Sequence, residues 1–205
     1  NIAVLPGVLT NDFNIGGDNL LVSDADVISA NGASVAVNAD GSFAYDPSGS
    51  DALKALNPGD MLVDSFQYEA SDGNGSSTTE TVSITIPGVN DAPTLAAGTA
   101  DADEDGPTVD VNLALLGADG DSDDDGSSLS YAVTVGPAEG SASISGTTLT
   151  FDPGADFQDL AVGETRDVTV AVQATDSHGA PSGTANIMVT VTGTNDAPTL
   201  AAGTA

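Results

Sequence analysis

The sequence has no cysteine, no tryptophan, one histidine and only two basic residues, Lys54 and Arg166, among 205 positions. Without cysteine there is no disulfide, no thiol nucleophile and no zinc–thiolate site. The single histidine, His178, cannot build a His-rich metal site. Affinity for nucleic acid and for anionic lipid comes from Lys and Arg. Here two such residues face 31 Asp and Glu, for a net charge of −29, which excludes nucleic acid as a partner. No apolar run approaches the roughly 18 residues of a membrane span, so direct membrane insertion is not expected. No signal peptide opens the chain, and Asn1 reads as a cut inside a longer protein. Aromatic residues make up 4% of the sequence, which poorly supplies the exposed ring platforms of sugar-binding sites.

High charge with little aliphatic content is also the signature of disorder, with a threshold of about 20% Leu, Ile, Val and Phe. This chain stands at about 22%, so pattern must decide. Val168, Val170 and Val172 recur at every second position, as do Ile187, Val189 and Val191. Alternation with period two marks a strand with one buried face, and a disordered acidic tail has no reason to show it.

A repeat divides the chain. Residues 90–100 read NDAPTLAAGTA, and residues 195–205 read the same, 105 positions later. Diverged echoes keep nearly that spacing: Phe43, Tyr45, Asp46 and Pro47 answer Leu149, Phe151, Asp152 and Pro153, and Ala70 with Asp72 answers Ala174 with Asp176. The period is far longer than that of solenoids, so each unit should own its core. The expected division is a first sandwich over 1–89, a second with its leading linker over 90–194, and the opening of a further linker over 195–205.

Strands are expected near 20–23, 33–38, 42–45, 63–70 and 79–87 in the first unit. In the second they are expected near 108–113, 128–135, 141–145, 147–151, 166–175 and 184–193. Gly41 and Gly146 sit between alternating runs, where a hairpin turn demands positive φ. Residues 51–56 and 156–160 read as short helical turns. Tyr45, Tyr68 and Tyr131 read as core, Arg166 and Lys54 as local charge partners, and His178 as part of an exposed turn. The fold class is all-β: two tandem immunoglobulin-like or cadherin-like Greek-key β-sandwiches.

The carboxylates cluster. Asp119, Asp121, Asp123, Asp124 and Asp125 crowd one loop before Gly126. Such a loop is either a solvated acidic surface or a site for a hard cation. Ca²⁺ takes six to eight oxygens, which alternating Asp side chains supply. It is not an EF-hand, since no Glu follows at the twelfth position and no helices flank it.

The linkers favour the cation. Val191, Thr192, Gly193, Thr194, Asn195, Asp196, Ala197 and Pro198 end the second unit, and Gly88, Val89, Asn90, Asp91, Ala92 and Pro93 end the first. An Asn-Asp pair leaving a last strand before Pro resembles the cadherin linker, Asp-x-Asn-Asp-Asn-x-Pro. Gly88 and Gly193 stand in place of its leading Asp, and Ala92 and Ala197 in place of its second Asn. Glu164 lies twelve residues before Asp176, and Asp60 twelve before Asp72. Glu104 sits where such domains place an opening Glu, and Asp123 with Asp125 resembles their Asp-x-Asp loop.

The chain thus resembles the cadherin-like, VCBS-type tandem repeats of large bacterial surface adhesins, many of them of the RTX type. The resemblance implies Ca²⁺ as cofactor. At the junction it implies Asp60, Asn90, Asp91, Asp121, Asp123, Asp125 and Asp176 as metal ligands. At the far end it implies Glu104, Glu164, Asn195 and Asp196. It implies an extracellular module on the bacterial cell surface, stiffened by Ca²⁺, serving as a stalk in adhesion or biofilm formation. Its partners are the neighbouring repeats, with a surface glycan or protein reached through other domains. The alternative is a carbohydrate- or protein-ligand-binding module. Enzyme chemistry by paired carboxylates needs two of them across a cleft; here they gather at domain ends, so no enzyme is expected.

Overall fold

A computed structural model describes residues 2–4, 7–198 and 200. The chain is nearly all β and forms two compact units, Asn1–Asn90 and Asp91–Ala205. The expected opening of a further linker over 195–205 falls largely outside the described residues.

In unit 1, β1 (Ile2–Val4), β3 (Ser34–Val37) and β4 (Phe43–Asp46) form one sheet in the order β1-β4-β3, and β2 (Leu21–Ala25), β5 (Met61–Ser71) and β6 (Ser77–Pro87) form the other, β2-β5-β6. The hairpin between β3 and β4 turns on Gly41, at φ 83°. Alternating residues of both sheets face inward: Val35, Phe43 and Tyr45 from one, Phe66, Tyr68 and Ala70 from the other. Phe43 meets the edge of the Phe66 ring at 5.3 Å between centroids. A fully buried Val or Phe side chain contributes about 1.5–3 kcal/mol. Ser50 caps the one-turn helix α1 (Asp51–Lys54), its hydroxyl accepting from the Leu53 N–H at 3.2 Å.

Asp64 lies on β5 and is 0% exposed. It accepts hydrogen bonds from the hydroxyls of Ser29 and Tyr45, from the backbone N–H of Asn31 and Ser65, and from the Asn31 side-chain amide. No arginine or lysine balances it; the donors alone hold the charge.

In unit 2, β7 (Thr94–Leu95) pairs with β10 (Gly117–Ala118). The main sheet joins β8 (Gly98–Asp103), β11 (Ser130–Val135), β14 (Thr165–Thr175) and β15 (Ala185–Thr192) in the order β11-β14-β15-β8. The opposing sheet joins β9 (Val109–Asn112), β12 (Ser141–Ser145) and β13 (Thr148–Asp152), in the order β12-β13-β9. Val168, Val170 and Val172 of β14 and Ile187, Val189 and Val191 of β15 pack onto Leu149 and Phe151 of β13. Tyr131 is half-buried against this core. Gly146 turns the β12–β13 hairpin at φ 59°.

Two expectations are corrected. Residues 156–160 form turns and no helix. The Asp156 carboxylate accepts from the Gly140 N–H at 2.7 Å and so is engaged elsewhere than in capping. The strands β1, β7, β8 and β10 were not anticipated. β8 reads Gly-Thr-Ala-Asp-Ala-Asp, with no large apolar residue to alternate, and it exists through its parallel ladder to β15.

Candidate metal centres

The loop between β10 and β11 folds around Asp121. Its backbone N–H donates to Asp119 Oδ1 at 3.0 Å, and its own Oδ2 accepts from the Asp91 N–H at 2.8 Å. Gly120 brings Asp91 close: a Cβ there would lie 3.0 Å from Asp91 Oδ2. Asp121 is 3% exposed. Its Oδ1 and Asp119 Oδ2 are buried without a hydrogen-bond partner among the described residues. Burial pushes the Asp121 carboxyl up; the charges of Asp91, Asp119 and Asp123 push it further, against the Asp91 N–H. Buried acceptors left unmet cost about 1–3 kcal/mol each, more when charged. A hard cation would meet them, and the donor set fits Ca²⁺.

The next carboxylates serve the loop itself. Asp124 Oδ1 accepts from the Ser128 hydroxyl at 2.9 Å, and its Oδ2 from the Ser177 hydroxyl and N–H at 2.7 and 3.1 Å. The Ser177 bond leads in holding the Asp124 carboxyl below the usual range. Asp125 is exposed and accepts at Oδ1 from Ser127 and Ser128, which lowers its carboxyl. Asp176 Oδ1 accepts from the N–H groups of His178 and Ala180 at 2.9 and 2.8 Å, closing the turn after β14. That turn sets His178 Nδ1 3.9 Å from Asp123 Oδ2. Asp123, Asp124 and His178 offer ligand atoms within 4.8 Å of one another. Sequence reasoning placed His178 in a turn and missed this grouping, because the turn after β14 and the acidic loop meet only in the fold.

In unit 1, Asp60 is exposed, and its Oδ2 accepts from the Asn57 N–H at 3.1 Å. Asn90 is half-buried at the end of the unit. The glycines that replace the leading linker Asp have a steric cause. Gly88 N–H donates to the Asp60 carbonyl and Gly193 N–H to the Glu164 carbonyl, both at 2.8 Å. A Cβ would lie 2.1 Å from the Asn57 carbonyl oxygen at Gly88 and 2.3 Å from that of Ala161 at Gly193.

A second cluster closes unit 2. Glu104 is 1% exposed; its Oε1 accepts from the Thr194 N–H at 2.6 Å, and its Oε2 is buried without a hydrogen-bond partner among the described residues. Asp105 accepts from the Thr194 hydroxyl at 2.9 Å and from the Gln158 amide at 3.0 Å. Glu104, Asp105 and Asp196 bring ligand atoms within 4.8 Å of one another. Asp105 was not among the expected ligands, though it adjoins Glu104. The fold does not bring Glu164 into this grouping; it is exposed and turned to the Ala161 N–H at 3.0 Å. Asn195 is exposed, its amide 3.3 Å from the Asp196 carbonyl.

The ladders place the two clusters at opposite ends of unit 2. Ser130 stands opposite Thr175 at one end of β14, beside the acidic loop. Thr165 stands opposite Thr192, and Thr192 beside Asp103, at the other end. A strand of this length spans about 35 Å at about 3.4 Å per residue.

Residues 1–88 match the bacterial cadherin-like domain family, and residues 90–192 match the bacterial Ig domain family. No curated protein matches the chain. Among solved structures, mouse protocadherin-24 repeats EC1-3 align over 86% of this chain and 58% of their own, at 15% identity and a TM-score of 0.46. Mouse cadherin-23 repeats EC22-24 align over 85% and 52%, at 17% identity and 0.41. An endo-fucoidan hydrolase of glycoside hydrolase family 107 aligns over 88% and 24%, at 17% identity and 0.33. The chain therefore spans about a quarter to three fifths of these structures. On its family matches the chain is a tandem of two bacterial β-sandwich domains, a cadherin-like domain followed by a member of the bacterial Ig domain family.

Proposed function

We propose that this chain is a Ca²⁺-stiffened extracellular repeat module of a bacterial surface adhesin, a spacer that holds other domains away from the cell. The observation that carries this reading is the pair of buried, unmet carboxylate oxygens, Asp121 Oδ1 and Glu104 Oε2, at opposite ends of unit 2. Each stands among further carboxylates: Asp91, Asp119 and Asp123 around the first, Asp105 and Asp196 around the second. Ca²⁺ supplies charge compensation that this chain cannot provide with two basic residues. Asp121, Asp91 and Asp123 hold the entry ion. Asp125 and Asp176 shape the loops that present them. Glu104, Asp105 and Asp196 hold the exit ion, with Asn195 beside them. Both families are structural domains, which fits a mechanical role rather than catalysis.

Extracellular Ca²⁺ modules bind at about 10⁻⁴–10⁻³ M. A ligand that binds only the folded state adds about 2.7 kcal/mol per site at a hundredfold excess over Kd. Thermal melts in Ca²⁺ and in EDTA at low salt should therefore differ by several degrees. Identical melts at millimolar Ca²⁺ would overturn the reading.

A further inference from the structure

The sequence holds two Asn-Gly pairs, Asn31-Gly32 and Asn74-Gly75, both in unit 1. Such a pair is chemically reactive. Glycine has no Cβ, so its backbone nitrogen reaches the preceding side-chain Cγ at little steric cost. The fold treats the two pairs in opposite ways.

Asn31 is held. Its backbone N–H and its side-chain amide both donate to Oδ1 of the buried Asp64, at 2.9 and 3.0 Å. Its carbonyl accepts from the Ser50 hydroxyl. The Gly32 N–H, the group that would attack, donates to the Ser29 carbonyl at 3.0 Å. Hydrogen bonds to an ionised carboxylate are among the stronger ones. The amide must leave Asp64, and the glycine N–H must leave Ser29, before this pair can react.

Asn74 lies in the turn between β5 and β6 and is exposed. Asp72 builds that turn, its Oδ1 accepting from the N–H groups of Asn74 and Ser76 at 2.8 and 3.1 Å. These bonds fall on either side of Gly75, and among the described residues no acceptor meets the Gly75 N–H. Gly75 stands at φ 100°, with open space where a Cβ would be. The Asn74 amide donates to Asp18 Oδ2 at 3.2 Å, on the surface. Unit 2 builds the same turn: Asp176 Oδ1 accepts from the N–H groups of His178 and Ala180. His178, in the place of Asn74, is exposed there too, so exposure belongs to the turn itself.

We propose that Asn74 is a site of spontaneous deamidation in the folded protein and that Asn31 is not. The Gly75 nitrogen attacks Asn74 Cγ. The new N–Cγ bond closes a succinimide, the Cγ–Nδ2 bond breaks, and the Gly75 proton departs with the amide nitrogen as ammonia. Water then opens the ring, at Cγ to give aspartate or at the Asn74 carbonyl carbon to give isoaspartate. One water is consumed and one ammonia released. The product carries a carboxylate where an amide donated to Asp18, on a chain already at −29. The contact that ties the Asp18 loop to the turn thereby becomes repulsive.

The test ages the folded protein in mildly alkaline buffer and maps its peptides by mass spectrometry, with isoaspartate detected by enzymatic methylation. Conversion at Asn74 is expected to run about tenfold or more faster than at Asn31, the ratio set by opening of the bonds that hold Asn31. In concentrated urea the two sites should convert at similar rates, because only the fold distinguishes them. Asn74→Gln, whose longer side chain would have to close a six-membered ring, should remain unmodified at that position. Equal rates at the two sites in the folded chain overturn the proposal. So does an Asn74 that stays intact in the folded chain while the urea-unfolded chain converts.

Discussion

Asp91 and Asp121 are tied by one hydrogen bond, from the Asp91 backbone N–H to Asp121 Oδ2 at 2.8 Å, which places two carboxylate-bearing residues together at the head of unit 2. The Asp121 carboxyl is pushed up by burial and by the neighbouring charges. A carboxyl whose folded pKa exceeds its unfolded value binds protons more readily in the folded state. Its ionised form costs stability at neutral pH, and that stability returns as pH falls toward the raised pKa.

Without metal, unit 2 should therefore gain from Asp121→Asn at pH 7, because the amide keeps an acceptor for the Asp91 N–H and removes a buried charge. With Ca²⁺ the same variant should lose the part of the metal-dependent rise in Tm that the ion at Asp121 contributes. The control Asp40→Ala lies in a hairpin turn, where Asp40 accepts from Ser42, and should respond to Ca²⁺ like the parent. Equal Ca²⁺ gains in all three proteins would show that the charge acts only as a diffuse field.

Asp64 predicts the acid limit of unit 1. Burial pushes its carboxyl up, but hydrogen bonds from Ser29, Tyr45, Ser65 and Asn31 outweigh it and bring the pKa down to about 2. A folded pKa below the unfolded value of about 3.9 contributes stability above that value, about 2–3 kcal/mol, which is lost as pH falls from about 4 to about 2. Asp64→Ala should cost about 3–5 kcal/mol by stranding these donors. Phe66 fluorescence is too weak to follow this, so the near-ultraviolet circular dichroism of the three tyrosines, Tyr45 and Tyr68 in unit 1 among them, serves as the readout. A variant that melts like the parent would contradict the hub.

Gly88 and Gly193 decide whether the linker can regain its missing Asp. Gly193→Asp should destabilise unit 2 by about 2 kcal/mol or more, since its Cβ meets the Ala161 carbonyl oxygen at 2.3 Å. It should not tighten Ca²⁺ binding. Tighter binding with unchanged Tm would show that the backbone yields there at little cost.

The proposed function also predicts stiffness. Small-angle scattering should give a narrow distribution of dimensions in Ca²⁺ and a broader one in EDTA. Asp121→Asn combined with Asp123→Ala should scatter in Ca²⁺ as the parent does in EDTA. The same distribution in all conditions would mean that calcium is not the stiffener.

Much of this was legible in the residues. Alternation in 166–175 and 184–193 marks β14 and β15 because a one-sided strand must place every second residue in the core. The repeat at 105 residues marks the tandem, and Gly41 and Gly146 mark hairpins that need positive φ. What the sequence could not determine depends on partners distant in the chain. Gly98–Asp103 alternates only small apolar residues, Ala100 and Ala102, and becomes a strand because β15 offers a parallel edge about ninety residues later. Asp64 reads as an ordinary polar residue of β5, and only folding surrounds it with Ser29, Asn31 and Tyr45. Among five clustered aspartates, tertiary structure alone assigned Asp124 to Ser128 and Ser177, Asp125 to its own turn, and Asp121 to burial beside Asp91. Spacing fixes which carboxylates are neighbours along the chain; which oxygens lose water and find no donor is set by the surfaces that close over them.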